Sequence, residues 1–451
     1  MLKNKVLIIT GLFPPASGPG AKRITQFVKY LVPLGWESIV LTHRYLFMGY
    51  DEKSLETIPN STKIFRTFSL EPLVRKASSC SPRKGGRKLN YPVTGCLQRF
   101  VRLTKDLIGA PDTGMLWLPF AVLETFKIVG RGERFKIVFA TGPAFSNFLI
   151  GLIIKWLFRK PLIVDFRDAW IENPEYRNDS KVKLFINKFY EKIVIRNARF
   201  AIANTEGVRK AFLRRYPKEN PGKFVVIPNG FDREDLQQSE FSTVSLDKEK
   251  FNIVHTGSLG GPRSPKNFLV ALKELIREES IDPNDVKLHL IGLLTTFEDG
   301  KTIDDYIEYL GLNDQVIKVG FVSRQEAMDY NRQADLLLLV IGVVPPKYLL
   351  TYGLSGKVYD YILSGKPIYA MAQKGGATYR LLSKYKIGVV ADPSDIQDMK
   401  EKFLNLYRSW KNGHLIPNYT SKEIELFDIK NSSEKLMNLF ECSLKKTNSF
   451  Y

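Results

Sequence analysis

Three cations and a carboxylate set beside glycines are the residues of this 451-residue sequence best placed to do chemistry. In HTGSLGGPRSPKN (255–267), Arg263 and Lys266 follow a short apolar run and precede a helical pattern, with Ser258 at the strand end. Arginine offers a planar fork to phosphate oxygens and lysine a mobile point charge. The pair therefore suits a diphosphate leaving group whose charge grows as its bond breaks. In GLSGKVYDYILSGKPI (353–368), Lys357 and Asp360 lie three apart, on one face of the expected helix. There a carboxylate accepts hydrogen bonds from ribose hydroxyls, and the cation or the helix N-terminus meets phosphate. An ordinary helical ion pair is the plainer alternative.

A third stretch, GLFPPASGPGAKR (11–23), joins an apolar run to an amphipathic helix pattern. Gly18 and Gly20 leave the backbone amides of the helix start open to an anion. A dinucleotide fingerprint would need a third glycine where Arg23 stands, which argues against a nicotinamide or flavin cofactor. There is no Asp-x-Asp pair after a strand, and His43, His255, His289 and His414 show no ligand spacing, so no bound metal is expected. His255 ends an apolar run and is expected to be a packed strand residue.

The elements that must position these groups are short Val/Ile/Leu runs alternating with helical patterns. The first half has runs at 6–10, 38–42, 137–140, 161–165, 200–203 and 224–227, and the second at 251–255, 287–291, 316–319, 336–340, 367–370 and 388–391. Such runs suit parallel strands buried on both faces, hence an α/β protein of two doubly wound domains. The polar stretch 231–250 is the expected linker. Ligands of open α/β sheets sit beyond the carboxyl ends of the strands. That rule points to Thr141-Gly142-Pro143, to Asp165-Phe166-Arg167-Asp168, to Pro228-Asn229-Gly230 and to Thr256-Gly257-Ser258.

A net charge of +20 predicts an acidic partner. Residues 61–110 hold eleven Lys or Arg against two acids, a local net charge of +9. With interleaved apolar residues this segment is expected either as a solvated loop or on an anionic membrane surface. No recognised nucleic-acid-binding module accompanies the charge. Three scattered cysteines argue against a disulfide framework, and no apolar run reaches the length that spans a bilayer.

The stretches FPPASGPGAKR, PDTGMLWLP, ATGPAFS, DFRDAW, IPNGFD, HTGSLGGPRSPKN and GKVYDYILSGKPI occur in this order over nearly the whole chain. Together they resemble family 4 glycosyltransferases of the GT-B fold, especially bacterial surface-polysaccharide enzymes. The resemblance implies two Rossmann-like domains facing across a cleft. The first, 1–235, would take the acceptor and the second, 250–420, the nucleoside diphosphate sugar; a terminal segment, 421–451, would pack back on the first. It also implies transfer with retention of anomeric configuration. With the scattered cysteines and the basic segment 61–110, the expectation is a cytoplasmic enzyme peripheral to the inner face of the plasma membrane, acting on a lipid-linked or saccharide acceptor.

Under that resemblance Arg263 and Lys266 hold the donor diphosphate and Asp360 the ribose, with Lys357 taking a share of the donor work; from their own chemistry Gly18, Gly20 and Ser258 are expected to bind the donor too. Asp168 is the candidate catalytic residue, orienting the acceptor hydroxyl, with Arg167 and Asn229 on the acceptor side. Tyr352 replaces the first glutamate of the family's paired-glutamate motif. Two alternatives are a nucleotide-sugar 2-epimerase of the same fold and an inactive binding subunit.

Overall fold

Alternate residues of the apolar runs feed opposite layers, as parallel strands covered on both faces require. In a computed structural model of the chain, Leu7 and Ile9 of β1 (Asn4–Ile9) enter one hydrophobic core while Val6 and Ile8 enter another on the far side. The structure describes residues 4–16, 18–44, 50–72, 109–173, 180–236, 244–352, 354–420 and 424–445. They form two units, Met1–Asn229 with Ile429–Tyr451, and Gly230–Asp428.

In the first unit β1 is joined by β2 (Trp36–His43), β3 (Lys63–Thr67), β4 (Ile137–Gly142), β5 (Leu162–Phe166), β6 (Phe200–Ala203) and β7 (Phe224–Val226). All the pairings are parallel, in the order β3-β2-β1-β4-β5-β6-β7. The order reverses between β1 and β4, so their carboxyl ends open the crevice in which such sheets hold ligands. The helix Ile429–Leu444 belongs to this unit: Phe440 packs 4.9 Å from Trp36, whose indole N–H donates to Glu441 at 3.0 Å.

The second unit repeats the plan. It contains β8 (Phe251–Thr256), β9 (Leu259–Gly261), β10 (Val286–Ile291), β11 (Leu294–Phe297), β12 (Val316–Gly320), β13 (Leu336–Val340), β14 (Ile368–Met371) and β15 (Val389–Ala391). Its main sheet runs β12-β10-β8-β13-β14-β15, with β9 and β11 paired separately, and its reversal lies between β8 and β13. Leu336, Leu338 and Val340 of β13 face one core, Leu337 and Leu339 the other. Each such fully buried leucine stabilises the fold by about 1.5–3 kcal/mol.

Two expectations change. The basic segment 61–110 does not begin as a surface loop: Lys63–Thr67 is edge strand β3, where Lys63 pairs with Glu133. Residues 73–108 of that segment lie outside the described residues. The stretch 231–250 is not all linker, because Phe231 is buried in the second unit and bonds to Phe427 O at 3.0 Å. Residues 237–243 lie outside the described residues.

Candidate active site

In the second unit the carboxyl end of β8 meets the start of the helix Lys357–Ser364. His255 is fully buried, and its Nδ1 lies 2.8 Å from Leu338 O on β13. That contact makes Nδ1–H a donor and leaves Nε2 as acceptor, 3.3 Å from Lys357 Nζ. The same ammonium donates to Ser258 O at 3.3 Å. Gly257, at φ +111°, lets the lysine lie across the loop, because a Cβ there would collide with Lys357 Cε. Tyr361, one turn along the helix, accepts from Thr256 N at 2.9 Å and fixes the helix to the strand end.

Burial, then the Arg263 charge, lower the Lys357 pKa to about 7. Burial, then Lys357, hold His255 well below its usual value, so the ring is neutral. Among the described residues no carboxylate pairs with the Lys357 ammonium or the exposed Arg263 guanidinium. Backbone and imidazole, not acids, hold the Lys357 ammonium, and the Arg263 charge acts on it from nearby.

Lys266 does not share that environment. Its ammonium lies 3.8 Å from Asp299 Oδ2 and over the Tyr306 ring, in a cavity of about 300 Å3 also lined by Asn267 and Phe297. Asp360, three residues from Lys357, faces a different partner, accepting from Arg324 Nη2 at 3.0 Å. Arg324 is shared with Asp235 at 3.1 Å, and the two carboxylates raise its pKa although burial opposes them. Tyr352 lines a small cavity with Gly342 and Gln373 beyond β13 and β14.

In the first unit, Arg23 reaches from the helix Pro19–Leu31 to grip Asp165 with two bonds of 2.9 and 3.1 Å. It also donates to Ile227 O, Pro228 O and Asn229 Oδ1, at 3.0, 2.7 and 3.1 Å. Asn229, expected on the acceptor side, is thus a partner of Arg23. Arg167 is buried against the same helix start, donating to Gly142 O at 3.3 Å and to Pro143 O. A Cβ on Gly20 would strike the Arg167 guanidinium, so the space this glycine leaves belongs to Arg167. Gly18, at φ +115°, caps the helix start. Asp168, next to Arg167 just beyond β5, is exposed. Among the described residues no three His, Cys, Asp or Glu side chains gather to hold a metal ion.

Residues 18–230 match the glycosyl transferase 4-like domain family, over nearly the span of the first unit's sheet. In sequence these residues are similar to a glycosyl transferase 4-like domain. No curated protein sequence matches the chain.

Solved structures share the fold over almost the whole length. Anabaena HepE in complex with UDP and glucose has a TM-score of 0.60 at 17% identity, covering 97% of this chain and 100% of its own. Sucrose-phosphate synthase from Thermosynechococcus elongatus has 0.62 at 14%, covering 98% and 99%. The lipopolysaccharide outer core galactosyltransferase WaaB has 0.53 at 15%, covering 98% and 100%. These are GT-B glycosyltransferases, and the two parallel α/β sheets here match theirs.

Within residues 18–230, sequence reasoning missed Asp112 of PDTGMLWLP. Its carboxylate accepts from Phe145 N and Ser146 N, at 2.6 and 3.2 Å, and from Gly114 N at 3.0 Å, closing the start of the helix Ser146–Phe158. That motif is structural in this chain. Arg324, also missed, had a local sign in Ser323 and Glu326, which form the capping box of its helix.

Proposed function

We propose that the chain is a retaining glycosyltransferase that moves a sugar from a nucleoside diphosphate donor to a lipid-linked or saccharide acceptor in cell-surface polysaccharide synthesis. The observation that carries this reading is the Lys357–Arg263 pair at the strand-order reversal of the second unit, without a carboxylate counter-ion among the described residues. Negative charge grows on the diphosphate as its bond to the sugar breaks, and two nearby cations stabilise that charge more than the ground state. Lys266, beside Asp299, has the lesser part. Asp360 accepts from ribose hydroxyls in competition with Arg324. With retention, the leaving phosphate accepts the proton of the acceptor hydroxyl, and exposed Asp168 orients that hydroxyl. The UDP and glucose held by Anabaena HepE make a UDP-sugar the first donor to try.

Arg263→Ala and Lys357→Met should each weaken donor use by more than about tenfold, the worth of one lost charge-assisted contact. Donor binding by calorimetry and transfer kinetics both read this. Unchanged values in the two variants would end the assignment.

A further inference from the structure

Three neighbouring helices pack on one face of the first unit's sheet: Leu118–Gly130, Ser146–Phe158 and Lys181–Asn197, the middle one packed against both others. Their inner sides fill the core with Ala121, Phe148 and Val194. Their outer sides carry large apolar groups in solvent. On Lys181–Asn197, Val182, Phe185 and Phe189 follow helical spacing along the outside, Phe185 being 71% and Phe189 52% exposed. A core stripe would face inward, so this one needs another partner.

On that helix the exposed charges have one sign. Lys181, Lys188, Lys192 and Arg196 are exposed on the same helix. Its one acid, Glu191, is turned inward, buried and bonded to Arg215 and Tyr216. At the end of the middle helix Trp156 and Leu157 are 54% and 50% exposed, followed directly by Arg159 and Lys160. Exposed aromatic and aliphatic groups with cations along the same helix complement an interface of acyl chain below and phosphate above.

The position fits as well. Helices between parallel strands run opposite to them, so the start of Lys181–Asn197 stands at the carboxyl end of β5, the end that holds Arg167 and Asp168. Among the described residues no helix is long and apolar enough to cross a membrane.

We propose that this face, led by the helix Lys181–Asn197, lies in the plane of an anionic lipid bilayer. Val182, Phe185 and Phe189 enter the headgroup boundary while the lysines meet lipid phosphates. The proposal stands on residues separate from the donor site and draws on the glycosyltransferase reading only for its purpose, reaching a lipid-borne acceptor.

The test is sedimentation of the full chain with vesicles of phosphatidylcholine, with and without phosphatidylglycerol. The unmodified chain should bind the anionic vesicles and release with salt. Phe185→Ser with Phe189→Ser, and separately Lys188→Glu with Lys192→Glu, should each cut that binding by about tenfold or more. Both variants should keep the melting temperature and the response to UDP-glucose, because the changed side chains are exposed. Equal binding to neutral vesicles, or variants that sediment like the unmodified chain, would overturn the proposal. So would a dimer of the unmodified chain that both variants break, which would assign the face to a second copy. Arg263→Ala should sediment normally, so failure of the donor reading and failure of this one are separable.

Discussion

The His255 imidazole and the Lys357 ammonium stand 3.3 Å apart, and the contact runs from lysine donor to neutral ring. Leu338 O fixes the tautomer, because it takes the proton of Nδ1 at 2.8 Å. A carboxylate in the place of His255 would have neutralised Lys357. A neutral acceptor positions the ammonium and leaves its charge available to a ligand, at the cost of a pKa lowered to about 7.

That lowered value gives a pH dependence with a definite sign. Lys357 titrates near 10.5 when unfolded and near 7 when folded, so between these values the unfolded chain binds a proton that the folded chain lacks. Its contribution therefore makes stability rise with pH across that window, by at most about 1.4 kcal/mol per unit. Lys357→Met should be more stable than the unmodified chain at pH 7, and the gap should close toward pH 10 in paired melting curves. A diphosphate raises the lysine pKa, so donor affinity should run the other way and weaken as pH rises above 7. Calorimetry of UDP-glucose binding checks this, and a flat profile would remove Lys357 from the contact.

Gly257 is the second lever on the same lysine. Gly257→Ala places a Cβ against Lys357 Cε at a backbone φ of +111°, which L side chains rarely adopt. The strain should cost about 1–3 kcal/mol and drive the ammonium away from His255 and Ser258. Donor affinity should fall as far as in Lys357→Met, and a combined variant should lose little more, since both changes act on one group. A variant with lowered melting temperature but full donor affinity would show that the lysine needs no such placement.

The strands were legible wherever both faces are buried, because runs such as Leu336–Val340 carry no polar residue to obscure them. Edge strand β3 was not: Lys-Ile-Phe-Arg-Thr places cations among its apolar residues and sits inside a basic segment. Strands β9 and β11 escaped for want of apolar length. At the site, Arg263 and Lys357 were legible as cations near strand ends. The divergence of Lys266 toward Asp299 was not, since spacing fixes a helix face and not where a long side chain ends. Arg324 beside Asp360 depends on the starts of two helices, with the two residues 36 apart in sequence.

The least legible feature is the pair Arg23–Asp165, 142 residues apart in sequence, yet it gathers the strand ends of the first unit. Asp165 also accepts from Thr141 Oγ1 at 2.9 Å, so one carboxylate joins β4, β5 and the helix Pro19–Leu31, while Arg23 carries the link on to Ile227 and Asn229. Both side chains are almost wholly buried. Removing either partner leaves the other as an unpaired buried charge, which costs about 3–5 kcal/mol. Arg23→Met and Asp165→Asn should each lower stability by that order in denaturant titrations. Arg23→Met with Asp165→Leu should recover part of the loss, because a buried pair replaced by apolar groups leaves no stranded charge. If both single variants unfold at the unmodified midpoint, the pair does not hold the strand ends together.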